Sequence, residues 1–125
     1  EEKIRRVVEK VPDLTVYGDQ EADLLMIGWG STYGHLITAV RELREEGYKL
    51  GLASFNYIKP MPVNVVDVFR RFRKILVCEL NLGQFADYLR YNYQEFTYNQ
   101  LNKVQGHPFT VKEIKEQAIK LMEEK

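Results

Sequence analysis

Apolar residues recur along the chain in two alternating rhythms. Ile4, Val7, Val8 and Val11 keep helical spacing, and Pro12 ends that helix before a short strand around LTVYG. Leu24, Leu25, Met26 and Ile27 are apolar at every position, which predicts a strand covered on both faces. From Ser31 onward Leu36, Ile37, Val40 and Leu43 return to a 3.6-residue spacing, with Ser31 able to cap the start and Gly47 following the end. YKLGLASFNYI reads as a third strand. The two prolines of KPMP break it and lead into a helix with Val65, Val66, Phe69 and Phe72 on one side. KILVCEL is then a fourth strand, GQFADYLRYNYQ a helix and EFTYNQL a fifth strand. The last helix opens with Thr110 and Glu113 at capping-box spacing, so that hydroxyl and carboxylate each satisfy a free backbone N–H. Its inner stripe is Val111, Ile114, Ala118, Leu121 and Met122.

Strands alternating with helices predict an α/β sandwich with a mainly parallel sheet. Four loops that follow strands, GWGST, NYIKPMP, ELNLGQ and LNKVQGHPF, then gather at the carboxyl edge, where such sheets place their sites. Their glycine, asparagine and proline content also suits ordinary turns.

Composition narrows the reading. At 125 residues and 45% hydrophobic content the chain is the size of one domain with a real core. Eighteen basic and eighteen acidic residues leave no broad positive field, which speaks against nucleic acid as the main partner. The single cysteine, Cys78, can build neither a disulfide framework nor a thiolate metal site, and points to the cytoplasm. The longest apolar run is too short for a membrane span. The opening EEKIRRVVEK is charged, helical and without an initiating methionine, as in a piece cut from a longer chain.

The stretch GWGSTYGH invites comparison with the dinucleotide fingerprint G-x-G-x-x-G. Here Gly28, Gly30 and Gly34 read G-x-G-x-x-x-G. The extra residue turns the third glycine by about 100° at ~3.6 residues per turn, away from the sheet. Ser31 follows Gly30 directly and so misses the G-x-S-x-G elbow of hydrolases. The histidines, His35 and His107, have no assignable triad partner and, with Cys78, form no metal-ligand set. Phe55, Asn56 and Tyr57 end the third strand where a phosphoacceptor receiver domain needs an aspartate. Arg70, Arg71, Arg73 and Lys74 read either as a solvated helix end or as a site for a polyphosphate such as coenzyme A or an acidic partner. Tyr88, Tyr91, Tyr93, Phe96 and Tyr98 exceed what one buried face absorbs, so some rings are expected to point outward, as at a protein interface.

Three blocks in order, VYGDQEADLLMIGWGSTYG, ELNLGQFADYLR and LNKVQGHPFTVKEI, resemble the C-terminal domain of the alpha subunit of 2-oxoacid:ferredoxin oxidoreductases, especially the 2-oxoglutarate type. The resemblance runs from about Val16 to the last helix. It implies a fold like the C-terminal domain of transketolase: a three-layer α/β/α sandwich with a five-stranded, mainly parallel, mixed sheet. Residues 1–12 are then a lead-in helix from a preceding domain, and 13–125 a single α/β domain. The parent enzymes oxidatively decarboxylate a 2-oxoacid to an acyl-CoA and pass electrons to ferredoxin, using thiamine diphosphate, magnesium and iron–sulfur clusters. The resemblance assigns those groups to other domains or subunits, with coenzyme A as co-substrate. It leaves this piece with no catalytic or metal-binding residue. Its implied partners are the beta subunit, the N-terminal domains of the alpha chain and, through the complex, ferredoxin. Gly30, Ser31, Asn81, Gln84, Lys103, Gln105 and Gly106 match the family's blocks and are the candidates for facing another subunit or coenzyme A. Lys103 is the candidate anion contact or else a solvated loop lysine. GWGST then serves as a tight turn for close approach more readily than as a phosphate cradle. The alternatives are an independent small-molecule or nucleotide-binding module, and, with least support, a hydrolase.

Overall fold

A computed structural model describes residues 13–29, 33–55, 62–79, 84–102 and 109–124. The apolar run at 24–27 lies mid-sheet in strand β2 (Ala22–Trp29), with all four side chains fully buried. Leu25 and Ile27 point into one layer of helices, Leu24 and Met26 into the other. The remaining elements are β1 (Val16–Gly18), α1 (Tyr33–Glu45), β3 (Leu50–Phe55), α2 (Val65–Phe69), β4 (Phe72–Glu79), α3 (Gln84–Asn92), β5 (Tyr98–Asn102) and α4 (Val111–Glu123).

The five strands stand in the order β1-β3-β2-β4-β5. β1 is antiparallel to β3, and every other neighbouring pair is parallel. This is the mixed sheet that the resemblance implies. Leu36, Ala39, Val40 and Leu43 of α1 and Ile114, Ala118 and Leu121 of α4 pack on one face, while Val65, Val68 and Phe69 of α2 and Phe85, Ala86 and Leu89 of α3 pack on the other. The step from β2 to β3 and the opposite steps from β3 to β4 and β4 to β5 use opposite faces, which keeps every crossover the same hand. The lead-in helix expected within residues 1–12 lies outside the described residues.

Local signals hold the helix ends. Gly47 adopts φ 101°, its N–H bonds to the Arg44 carbonyl at 3.1 Å, and the Tyr48 N–H bonds to the Leu43 carbonyl at 3.0 Å. Together these bonds satisfy two of α1's last carbonyls. At the start of α4 the Thr110 hydroxyl accepts the Glu113 N–H at 3.1 Å and the Glu113 carboxylate accepts the Thr110 N–H at 3.0 Å.

Two expectations need correction. The helix expected to run through Phe72 stops at Phe69, and Phe72, Arg73 and Lys74 enter β4 instead. The parallel ladder decides this, since Ala22 pairs with Phe72 and Leu24 with Lys74. Arg70 caps the helix end and is largely exposed, but Arg73 and Lys74 are not free cations there. Arg73 donates to the Met122 and Glu124 carbonyls at 3.2 and 3.0 Å and faces Asp23 at 3.4 Å, while Lys74 pairs with the Glu124 carboxylate at 3.0 Å. These bonds tie the start of β4 to the end of α4, at the amino edge and away from the strand-following loops.

The aromatic segment folds inward except for one ring, fewer outward rings than expected. Phe69 is its hub, with ring centroids of Phe96, Tyr93 and Tyr98 at 5.4, 6.0 and 6.1 Å, all edge to face. The Tyr98 hydroxyl donates to the Tyr93 carbonyl at 2.9 Å, and Tyr88 packs against the same cluster. Of the five rings only Tyr91 points outward, at 78% exposure.

Candidate functional site

The register gathers the strand ends. Gly28 pairs with both Ser54 and Cys78, Trp29 with Phe55, and Glu79 with Asn102, so β2, β3, β4 and β5 all end on one edge. The chain leaves β2 toward β3 on one side and leaves β4 toward β5 on the other. The crevice between the ends of β2 and β4 is thus the topological switch point, where open α/β sheets bind ligands.

Of the seven candidate residues, Gln84 is described: it is the exposed first residue of α3 at this edge. Gly30, Ser31, Asn81, Lys103, Gln105 and Gly106 lie outside the described residues. Gly34 lies in α1, and a Cβ built on it would meet nothing within 4 Å. The third glycine of a dinucleotide fingerprint exists to let helix and strand touch, so Gly34 does not fill that role. His35 is an exposed helix residue.

The residue at this edge that sequence reasoning passed over is Glu79. It closes β4, is 1% exposed, and is the buried charged side chain among the described residues. Strand alternation turns Cys78 toward α1 and α4 and Glu79 toward α3. One carboxylate oxygen accepts the Phe85 N–H and the other the Ala86 N–H, each at 2.8 Å. A carboxylate on the free N–H groups of a helix start is stabilised by both hydrogen bonds and macrodipole. The available signal was the acidic end of an otherwise apolar run, since a buried charge requires partners.

Asn64 was missed as well. Its side-chain oxygen accepts the Leu14 N–H at 2.7 Å and its amide donates to the Leu14 carbonyl at 2.8 Å. It thereby mimics a strand neighbour and fixes where the chain approaches β1, which starts at the carboxyl edge because it runs against β3.

The iron–sulfur clusters that the resemblance assigns to the parent enzyme do not fit these residues. Iron–sulfur clusters require several thiolates, and Cys78 is the chain's one cysteine. It is buried, and its thiol pKa is raised by that burial first and by the Glu79 carboxylate next, the reverse of a ligating thiolate. Among the described residues no group of three or more His, Cys, Asp and Glu side chains is placed to hold a metal ion. No described helix is long and apolar enough to cross a membrane. An open groove of about 450 Å³, flanked by Asp19, Arg41, Tyr48 and Lys49, lies at the opposite, amino edge.

The comparisons with known proteins agree with one another. The 2-oxoglutarate oxidoreductase subunit KorA of Mycobacterium tuberculosis is 43% identical over 105 residues, covering 83% of this chain and 16% of that protein. The alpha subunit of 2-oxoacid:ferredoxin oxidoreductase 2 of Aeropyrum pernix is 29% identical, covering 86% of this chain and 18% of its own length. The solved 2-oxoglutarate:ferredoxin oxidoreductase from Magnetococcus marinus, with 2-oxoglutarate, coenzyme A and succinyl-CoA bound, superposes at a TM-score of 0.86 and 29% identity. That match covers 97% of this chain and 22% of that one. A split-gene transketolase shares the fold, at a TM-score of 0.65 and 15% identity over 86% of this chain and 41% of that one. The chain thus spans less than a quarter of the length of its oxidoreductase relatives named here. Residues 22–114 match the family described as pyruvate:ferredoxin oxidoreductase core domain II, and the chain belongs to that family.

Proposed function

We propose that this chain is the C-terminal domain of the alpha subunit of a cytoplasmic 2-oxoacid:ferredoxin oxidoreductase, with 2-oxoglutarate as the favoured substrate. Residues 13–125 form the domain and residues 1–12 lead in from a preceding one. The domain assembles the alpha chain against its beta subunit and carries out no chemistry alone. The parent reaction joins a 2-oxoacid to coenzyme A, releases carbon dioxide and a proton, and passes two electrons to ferredoxin. Thiamine diphosphate, magnesium and iron–sulfur clusters are held by other domains or subunits.

The observation that carries this reading is the family match over residues 22–114, joined to a 43% identical relative whose name specifies 2-oxoglutarate. Gly30, Ser31, Asn81, Gln84, Lys103, Gln105 and Gly106 remain the proposed contacts with a neighbouring subunit or coenzyme A.

The test is capture of the native complex from source cells with an antibody to this chain, followed by coenzyme A-dependent reduction of a viologen dye across several 2-oxoacids. Activity with 2-oxoglutarate preferred supports the full proposal, and preference for another acid corrects the substrate alone. Capture of the chain without a thiamine enzyme or activity favours an independent small-molecule or nucleotide-binding module.

A further inference from the structure

In nucleotide-binding α/β folds the helix that follows a strand at the switch point meets the ligand's phosphate with its free N–H groups. Here the corresponding end of α3 is already occupied from within. Glu79 reaches it from the last position of β4, buries its carboxylate to 1% exposure, and engages the Phe85 and Ala86 N–H groups with separate oxygens at 2.8 Å. The geometry is that of a bound anion, except that the anion is covalently part of the strand. No buried side-chain polar atom among the described residues lacks a hydrogen-bond partner, and both Glu79 oxygens are engaged by the helix end.

We propose that Glu79 is the positioning residue of the carboxyl edge: an internal anion that fills the N-terminal end of α3, fixes that helix against β4, and denies the helix end to phosphate-bearing ligands. Gln84, one residue before the first N–H that Glu79 holds, takes its place at the edge from this contact. Phosphate groups of a coenzyme or nucleotide that reach the switch point find their donors elsewhere. The inference goes beyond the assembly role and holds whichever 2-oxoacid the parent enzyme uses.

The test uses the full chain and three measurements. First, amide hydrogen exchange at Phe85 and Ala86 is compared between the native protein and Glu79→Gln, whose side chain has the same shape but one accepting oxygen. Exchange at one or both amides is expected to rise about tenfold or more, with distant amides unchanged. Second, inorganic phosphate is titrated into the native protein. The Phe85 and Ala86 amide resonances are expected not to move. Third, Glu79→Ala is melted with formate or with neutral formamide at equal concentration. Formate is expected to raise the midpoint in a concentration-dependent way and formamide is not, a distinction that simple cavity filling does not produce. Unchanged exchange in Glu79→Gln, phosphate-induced shifts at Phe85 and Ala86, or equal rescue by formamide overturns the proposal. Should Glu79→Ala fail to fold, the first two measurements decide. Because none of them reads enzyme activity, failure here is separate from failure of the assigned reaction.

Discussion

Single residues in this fold differ in how visible their reasons are from the sequence. Gly47 follows a helical stripe, and its left-handed backbone is the ordinary helix stop. Gly51 sits inside a strand, and its reason is entirely three-dimensional. A Cβ there would lie 2.5 Å from the Asp19 carbonyl oxygen and 2.7 Å from Val16 Cγ1. Gly51→Ala is therefore expected to cost about 1–3 kcal/mol. Gly34→Ala, in open space on α1, is expected to stabilise by up to about 1 kcal/mol. Urea unfolding of the two variants side by side checks the pair, and equal effects would contradict the packing argument. Asn64→Ala strips both polar groups of Leu14 of their partner and is expected to cost about 1–3 kcal/mol in the same assay. Asn64 did not announce itself, because it acts on backbone groups 50 positions away, whereas the partners of Glu79 lie six and seven positions on and its signal, a charge ending an apolar run, was passed over. All seven candidate residues, Gln84 included, came from the family blocks.

At the scale of elements, local chemistry was readable wherever it dominates. The capping box of α4 needs only Thr110 and Glu113 at the right spacing, and both reciprocal bonds form. Thr110→Ala is expected to lower stability by about 1 kcal/mol and to speed exchange of the Glu113 amide, with Thr110→Ser close to the native protein. The α2–β4 boundary was not readable for the opposite reason. Val65, Val66, Phe69 and Phe72 keep a helical rhythm, but pairing of Phe72 and Lys74 with β2 overrides it. Local propensity loses there to a ladder whose other strand lies some 50 residues earlier. The same boundary turned Arg73 and Lys74 from a surface feature into the tie between β4 and α4.

For the whole molecule, the two-faced core predicts how stability depends on pH. Burial raises the Cys78 thiol, and the Glu79 carboxylate adds to the effect. Burial likewise raises the Tyr98 phenol, with Glu95 and Tyr93 adding, and the Tyr93 phenol, with Tyr88 adding. All three groups are acids held neutral in the fold. As pH rises past the ordinary thiol and phenol values, the unfolded chain releases protons that the folded chain retains, so it binds fewer and stability falls. Thermal midpoints are expected to be level near neutrality and to decline from about pH 9 upward. Cys78→Ala is expected to make that decline shallower, whatever its midpoint at pH 7. A decline as steep as the native one would remove Cys78 from the account. Fold class was legible at this scale because β2 must be covered on both sides and the strand–helix alternation leaves few ways to do it.

The opposed run of β1 has a mechanical consequence. Leu14, clasped by Asn64, enters beside the ends of the parallel strands, whereas Glu124, bound to Arg73 and Lys74, sits by their beginnings. A pull applied between these two points runs along the strands rather than across them. It loads the β1–β3 pairing in shear, where its hydrogen bonds must break together instead of unzipping one at a time.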